Sequence, residues 1–378
     1  MKEFNKYQIT YFVRFLGDAF FYPFFALYLK YLEVPNKDIG LILMILPLVA
    51  LFVNPLWSMF ARNVNDNRLF LRILPILEAL AVILLVLIDQ KPLIPIVTVM
   101  LAIVGQPIYI LLDSFTSIYT KKYKMPYGNI RLWGSLAYGL ATIVSGFLIG
   151  KIGYEQTFFI AAFFMIMGAL LMNWIIPIDI SDDIELNVKS DISILSHNNY
   201  YIKFAIFYVI TLGMIFGADN YLSLYFNEFG LEADGFGWVS FYFVIGEILV
   251  LTLLSKYGHN ISTRSILVAI VLTNAARFIF YGIDLPLWAY IAFSIIRSVS
   301  MGSMLYITIR YITEITEPRN VTLGILIFSS VRSLFTALVT SAGGFITDYY
   351  GYRTFYLLAG FIALLALFFI DYRKQTTA

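Results

Sequence analysis

The sequence predicts an all-α membrane protein of twelve transmembrane helices. Three observations carry that prediction. Of 378 residues, 60% are hydrophobic and only 13% charged, which is too little charge to cover a soluble domain of this size. The mean hydropathy is +0.81, and the apolar residues fall in long runs divided by short polar breaks. The runs are continuous rather than alternating, so they read as helices and not as barrel strands.

Taken in order, the helices are predicted near 8–32, 39–61, 69–88, 93–120, 130–150 and 157–178. The first is too long for a signal peptide and carries Arg14 and Asp18 inside it, so it is read as a membrane span. Arg62 and Arg68 mark the turn between the second and third helices, and Lys121, Lys122 and Lys124 that between the fourth and fifth. A polar stretch, 179–200, follows the sixth helix and is acidic at its start (Asp179, Asp182, Asp183, Glu185). It reads as a solvated tether without chemistry of its own. Six further helices are predicted near 201–227, 235–256, 265–283, 286–312, 322–347 and 354–372. The predicted division is therefore a bundle over 1–178, a cytoplasmic linker over 179–200 and a second bundle over 201–378.

Lysine and arginine set the expected orientation. With the N-terminus inside, seventeen of them fall at cytoplasmic ends and loops, while only Lys30, Lys37, Lys91, Lys151 and Arg353 fall outside. Both termini are then cytoplasmic, and an odd helix count would scramble the asymmetry. The chain contains no cysteine, which rules out disulfides and thiolate chemistry.

The halves repeat. Residues 27–40 (LYLKYLEVPNKDIG) align without a gap to 224–237 (LYFNEFGLEADGFG), an offset of 197. Residues 145–154 (SGFLIGKIGY) align to 343–352 (GGFITDYYGY) at 198, and Thr157-Phe158-Phe159 matches Thr354-Phe355-Tyr356 at 197. Three matches at one offset, each at the same helix ends, predict two parallel six-helix repeats with a pseudo-two-fold axis along the membrane normal. Transporters so built bind substrate between the halves near the midplane.

On these features the chain resembles the major facilitator superfamily over essentially its full length. The most specific stretch is Tyr127-Gly128-Asn129-Ile130-Arg131-Leu132-Trp133-Gly134-Ser135. It resembles the YGxxRxWGS signature of the branch holding lactose-permease-like sugar:proton symporters, nucleoside symporters and phenylpropionate permeases. The superfamily's usual motif between the second and third helices is degraded in 57–68 (WSMFARNVNDNR), with Ser58 for Gly and Arg62 for Asp. The proline motif of many antiporters is absent from the fifth helix (Ser145-Gly146-Phe147-Leu148), which leans toward import.

Nine ionisable residues fall well inside the predicted helices: Arg14, Asp18, Glu78, Asp113, Asp219, Glu247, Arg277, Arg297 and Arg332. Bare charges at that depth cost several kcal/mol, so most are expected to line a wet central crevice. On the first helix Tyr11, Arg14, Asp18 and Tyr22 share a face, and Arg14 and Asp18 are spaced to pair. On the fourth, Gln106 and Asp113 share a face, with Arg131 a candidate partner for Asp113. Asp219 lies on a stripe of the seventh helix with Asn220 beside it. The resemblance implies an Asp219–Arg332 pair between the seventh and eleventh helices. It also implies a substrate-contacting Glu247 and an Arg277 that tunes protonation.

The lactose-type symporters carry a His and a Glu near the tenth helix; here stands Arg297, and both histidines, His197 and His259, lie in loops. The proton carrier is therefore expected at Asp18 or Asp113, and Arg297 or Arg14 allows an anionic substrate group. Glu78 fits least well, on a helix that is peripheral in such folds. Ser135, Gly139, Gly146 and Gly150 predict close packing of the fifth helix. Tyr22, Trp133 and Tyr138 are candidate aromatic walls.

The expected function is proton-coupled symport of a small polar solute across the cell membrane by a monomer, without cofactor, metal or nucleic acid. Proton-driven export of metabolites or lipophilic compounds is the alternative, less suited to a site where arginines nearly match acids. A membrane enzyme would need a metal cluster or nucleophile–base pair at depth, and no His or Cys lies within a helix.

Overall fold

A computed structural model describes residues 3–60, 64–88, 90–175, 193–317 and 320–371. Arg62 of the degraded loop motif, the side chains of Ser58 and Asp66, and most of the acidic tether lie outside what is described.

Among the described residues, eleven helical stretches are long and apolar enough to cross a membrane. The last holds two crossings, because Val321–Leu364 is broken at Gly351, φ 81° and ψ 165°. The helices are α1 (Glu3–Tyr31), α2 (Asn36–Phe60), α3 (Val64–Leu87), α4 (Lys91–Lys122), α5 (Tyr127–Ile152) and α6 (Tyr154–Leu171). The second series is α7 (Asn199–Asp219 with Leu222–Glu228), α8 (Ala233–Tyr257), α9 (Thr263–Gly282), α10 (Leu287–Ile315), α11 (321–350) and α12 (352–364).

Many outward-facing positions are large and apolar, such as Ile96, Phe163, Leu253 and Phe361. That is what lipid as solvent permits. Two exposed ties record an even number of crossings in each series. Lys6 at the start of α1 donates to the Trp174 carbonyl beyond α6 (2.8 Å), and Lys203 at the start of α7 pairs with Asp371 beyond α12 (2.6 Å).

Three helices that the sequence predicts as continuous are interrupted. In α1 a 3₁₀ turn, Tyr22–Phe24, carries Pro23, which has no N–H to give the ladder. In α7 the break at Asn220–Tyr221 is held by two bonds from these residues to Thr340: Asn220 Nδ2 to its hydroxyl (3.0 Å) and the Tyr221 hydroxyl to its carbonyl. In α10 the turn at Ser294 is fixed by Ser294 Oγ on the Tyr290 carbonyl (2.7 Å) and by the Tyr281 hydroxyl (2.5 Å). Each break lies within three residues of a side chain singled out above: Tyr22, Asp219 or Arg297.

The repeat is legible in the backbone. Glu33 and Gly230, 197 residues apart, both adopt left-handed φ (57° and 82°) at the turn after the first helix of each series. Gly153 and Gly351, 198 apart, do so again (91° and 81°) between the fifth and sixth. At Gly153 and Gly351 ψ is near 170°, a conformation glycine adopts without strain.

The chain forms two compact units: Met1–Asp182 with Ser223–Val244, and Asp183–Leu222 with Ile245–Ala378. In the first, α5 meets the start of α8 backbone to backbone. A Cβ on Gly146 would stand 2.3 Å from the Ala233 carbonyl oxygen, and one on Gly237 would stand 2.3 Å from that of Thr142. The Thr142 hydroxyl also donates to the Gly237 carbonyl, 3.2 Å. Gly150, by contrast, faces open space.

Gly146→Ala and Gly237→Ala are therefore expected to lower thermal stability by about 1–3 kcal/mol through overpacking. Gly150→Ala, relieved of a flexible residue in a helix, is expected to be neutral or slightly stabilising. Thermal unfolding of the three purified variants checks this, and equal shifts would refute the close crossing.

Candidate functional site

The deepest charges of the first unit form one cluster at the junction of α1, α3 and α4. Arg14 and Asp18 stand one turn apart on α1 and bond through guanidinium and Oδ1. The other terminal nitrogen of Arg14 reaches Glu78 Oε2 on α3 at 2.6 Å. Glu78 Oε1 accepts from the Tyr22 hydroxyl at 2.7 Å, so both its oxygens are engaged. The Tyr109 ring of α4 lies 5.8 Å from the guanidinium carbon. No hydrogen bond of good geometry reaches Asp18 Oδ2, although the Tyr109 hydroxyl is near enough to act on the carboxylate as a donor. Asp18 and Glu78 are both fully buried, at 0% exposure, and Arg14 nearly so.

Space for this cluster comes from glycine. A Cβ on Gly105 would stand 2.8 Å from both Glu78 Oε1 and the Tyr22 hydroxyl. On α6, Gly168 lets the helix lie against the Arg14 backbone, where a Cβ would already be at 3.3 Å.

Nearby on α4, Asp113 is open: its side chain is 43% exposed. It accepts from the Tyr11 hydroxyl (2.9 Å), and Arg131 Nε stands 3.9 Å away, a loose pairing. Gln106, two turns back along the same face, is half-buried and makes no hydrogen bond among the described residues. The signature residues have separate duties. Arg131 stacks over the Phe15 ring at 4.5 Å. Gly134 admits that same ring, since a Cβ there would meet it at 2.9 Å. Trp133 is largely exposed, edge-on to Phe12. The signature thus clamps α5 onto α1 and presents an arginine to Asp113.

In the second unit the charges form a chain. Arg277 on α9 bonds Asp219 Oδ1 (2.8 Å), Arg297 on α10 bonds Asp219 Oδ2 (2.7 Å), and Arg297 also reaches Glu247 Oε1 on α8 (2.5 Å). Arg277 is sealed at 0% exposure against Phe278, while Asp219, Glu247 and Arg297 are partly open. Asn220 is spent on Thr340.

This corrects the implied Asp219–Arg332 pair. Both Asp219 oxygens are taken by Arg277 and Arg297. Arg332, half-exposed on α11, has no carboxylate within 4.0 Å among the described residues and stacks over Phe216 at 4.7 Å instead. The expectation of a wet setting also divides. Asp113, Arg131, Glu247 and Arg297 retain exposure, whereas Arg14, Asp18, Glu78 and Arg277 are sealed by protein.

Tyr109 and Gly105 do not stand out in the sequence, and Glu78, though counted there among the deep charges, is given no site role. Glu78 sits on a helix expected to be peripheral, Tyr109 is one of 27 tyrosines, and Gly105 is one of 24 glycines. The one available signal is spacing. Tyr109 stands three residues after Gln106 and four before Asp113, on neighbouring turns of one face. Among the described residues no group of acidic, His or Cys side chains is placed to hold a metal.

Residues 4–358 match the MFS_1 like family. The chain is 23% identical to the maltose permease of Geobacillus stearothermophilus, with 98% of this chain and 95% of that one covered. It is 24% identical to the probable 3-phenylpropionic acid transporter of Escherichia coli (strain K12), with 95% of each covered. The crystal structure of the nucleoside transporter NupG superposes with TM-score 0.82 over 99% of this chain and 100% of that one, at 14% identity. The chain belongs to the MFS_1 like family of major facilitator transporters, and it is a carrier rather than an enzyme.

Proposed function

We propose that this protein imports a small polar organic solute together with a proton, by alternating access, as a monomer in the cell membrane with both termini cytoplasmic. The observation that carries the proposal is the stoichiometry of the Arg14 cluster. One guanidinium faces two carboxylates with no water-exposed surface. An uncompensated negative charge so buried costs several kcal/mol, so the cluster is stable with one proton bound. Glu78 accepts hydrogen bonds at both oxygens and is the better carboxylate. Asp18 Oδ2 lacks such a bond and is where the proton belongs. Neighbouring groups that act on it are Glu78, Tyr22, Tyr109 and Arg131.

A proton is released when movement of α1 lets water or another cation compensate Asp18. Proton occupancy thereby biases the same conformational equilibrium that substrate biases. Substrate contacts are assigned to the partly open groups Gln106, Asp113 and Arg131, and Asp219, Glu247 and Arg297. The solutes named for the relatives (maltose, 3-phenylpropionic acid, nucleosides) are small and carry hydroxyl, carboxyl or ring-nitrogen groups, which fits such contacts. Cytoplasmic termini agree with the lysine and arginine asymmetry.

In proteoliposomes, wild type is expected to accumulate substrate under an inward proton gradient and to lose accumulation with a protonophore. Asp18→Asn mimics the protonated form. It is expected to keep substrate exchange at equilibrium and to lose accumulation. Asp113→Asn is expected to weaken substrate affinity while leaving proton dependence intact. Accumulation by Asp18→Asn at the wild-type level would sink the assignment.

Gly105→Ala places a methyl group into Glu78 and Tyr22. It is expected to lower thermal stability by about 1–3 kcal/mol and to reduce accumulation more than exchange. Wild-type accumulation in a stable Gly105→Ala protein would show that the cluster has slack the geometry denies it.

A further inference from the structure

Within the second unit, charge does not balance. Asp219 and Glu247 are matched by Arg277 and Arg297, and Arg332 is left over. It stands eleven residues into α11, about 16 Å along the helix axis. That is near the middle of a hydrocarbon layer about 30 Å thick. An arginine there is expensive unless something answers its charge. Among the described residues no carboxylate does so. The tyrosine that acts on it is Tyr208, whose hydroxyl lies 3.5 Å from Ser329 Oγ, one turn before Arg332.

What surrounds Arg332 is built to hold a guanidinium and leave its edge free. The group lies over the Phe216 ring at 4.7 Å, which supports its face and leaves its in-plane N–H groups open. Its Nε has no partner. One turn further along the same face of α11, the buried Thr336 hydroxyl also has none. Helices α11 and α7 are pressed together, since Cβ atoms on Gly213 and Gly217 would strike Phe335 and Val339 at 2.5 and 2.6 Å. The backbone that carries Arg332 and Thr336 is therefore held in place against α7.

We propose that Arg332 binds the carboxylate of the transported solute, and that this solute is an organic monoanion with an apolar, ring-sized remainder. A guanidinium fork matches a carboxylate in charge and in two-point geometry. A neutral sugar or nucleoside would leave the charge unanswered. A phosphate dianion would overshoot it, leaving the unit one negative charge in excess. Phe216 offers an aromatic surface beside the anchor. The inference rests on the reading of this protein as a solute carrier and names the class of solute.

The test is equilibrium binding to purified full-length protein, with no gradient, by calorimetry and by thermal shift. The probes are 3-phenylpropionate, its neutral amide and maltose. Binding of 3-phenylpropionate is expected, with the amide and maltose weaker by about 10- to 100-fold, the span for losing a charged hydrogen-bonded pair. Arg332→Gln should bring 3-phenylpropionate down to the level of the amide, and Arg332→Lys should fall between.

In the absence of ligand Arg332→Gln should melt at or above the wild-type temperature, because an unanswered charge has been removed. A merely structural arginine would melt lower. The proposal is overturned if 3-phenylpropionate fails to bind wild type, if the amide or maltose binds as well, or if Arg332→Gln binds 3-phenylpropionate unchanged. Loss of proton-driven accumulation with this binding pattern intact would fault the coupling scheme and leave the anchor standing.

Discussion

The low-dielectric interior of the first unit forces one arginine to serve two carboxylates, and much of the surrounding packing answers to that. Arg14 spans from its own helix to α3, so α1 and α3 cannot slide past each other without exposing a charge. Removing one partner of such a buried pair costs about 3–5 kcal/mol. The close approach of α6 at Gly168 and of α4 at Gly105 then closes the cluster off from water. With all three groups ionised, what is sealed in this way carries one negative charge in excess.

The second repeat uses the same device with its signs exchanged. In the first, a base on the opening helix bonds an acid on the third (Arg14–Glu78). In the second, an acid on the opening helix bonds a base on the third (Asp219–Arg277). Glu78 and Arg277 each stand fourteen residues beyond the first residue of their helices, and both are fully buried. A tie between first and third helices is thus common to both repeats, and its polarity is not. The tie holds each repeat together. The groups added around it, Asp18 in one case and Arg297 with Glu247 in the other, differ between the repeats.

Much of this was legible in the sequence, and the failures have physical causes. Helix number and the repeat rest on hydropathy and on matched turns, which are local properties. The left-handed pairs Glu33 with Gly230 and Gly153 with Gly351 fall where the alignment put them. The Arg14–Asp18 bond was readable because both lie on one helix. Glu78 was underrated because helical spacing reports which residues share a face of one helix. It is silent on which side chain of another helix arrives opposite. The same limit misassigned Asp219, for which resemblance suggested Arg332 while Arg277 and Arg297 reach it first. The interruptions of α7 and α10 were equally hidden. They depend on bonds to Thr340 and Tyr281, whose nearness only the tertiary structure creates.

Counted over the deep groups alone, the first unit has one negative charge in excess, at Asp18, and the second has one positive charge in excess, at Arg332. With a proton at Asp18 and a monoanion at Arg332, the deep groups of each unit would sum to zero. With only one of the two bound, a net charge remains at membrane depth, where it is worth several kcal/mol. A conformational change that must carry these groups through a water-poor state is then cheapest with both ligands bound. On the proposed reading, joint loading of proton and solute would follow from a count of side-chain charges, with no direct contact needed between the two.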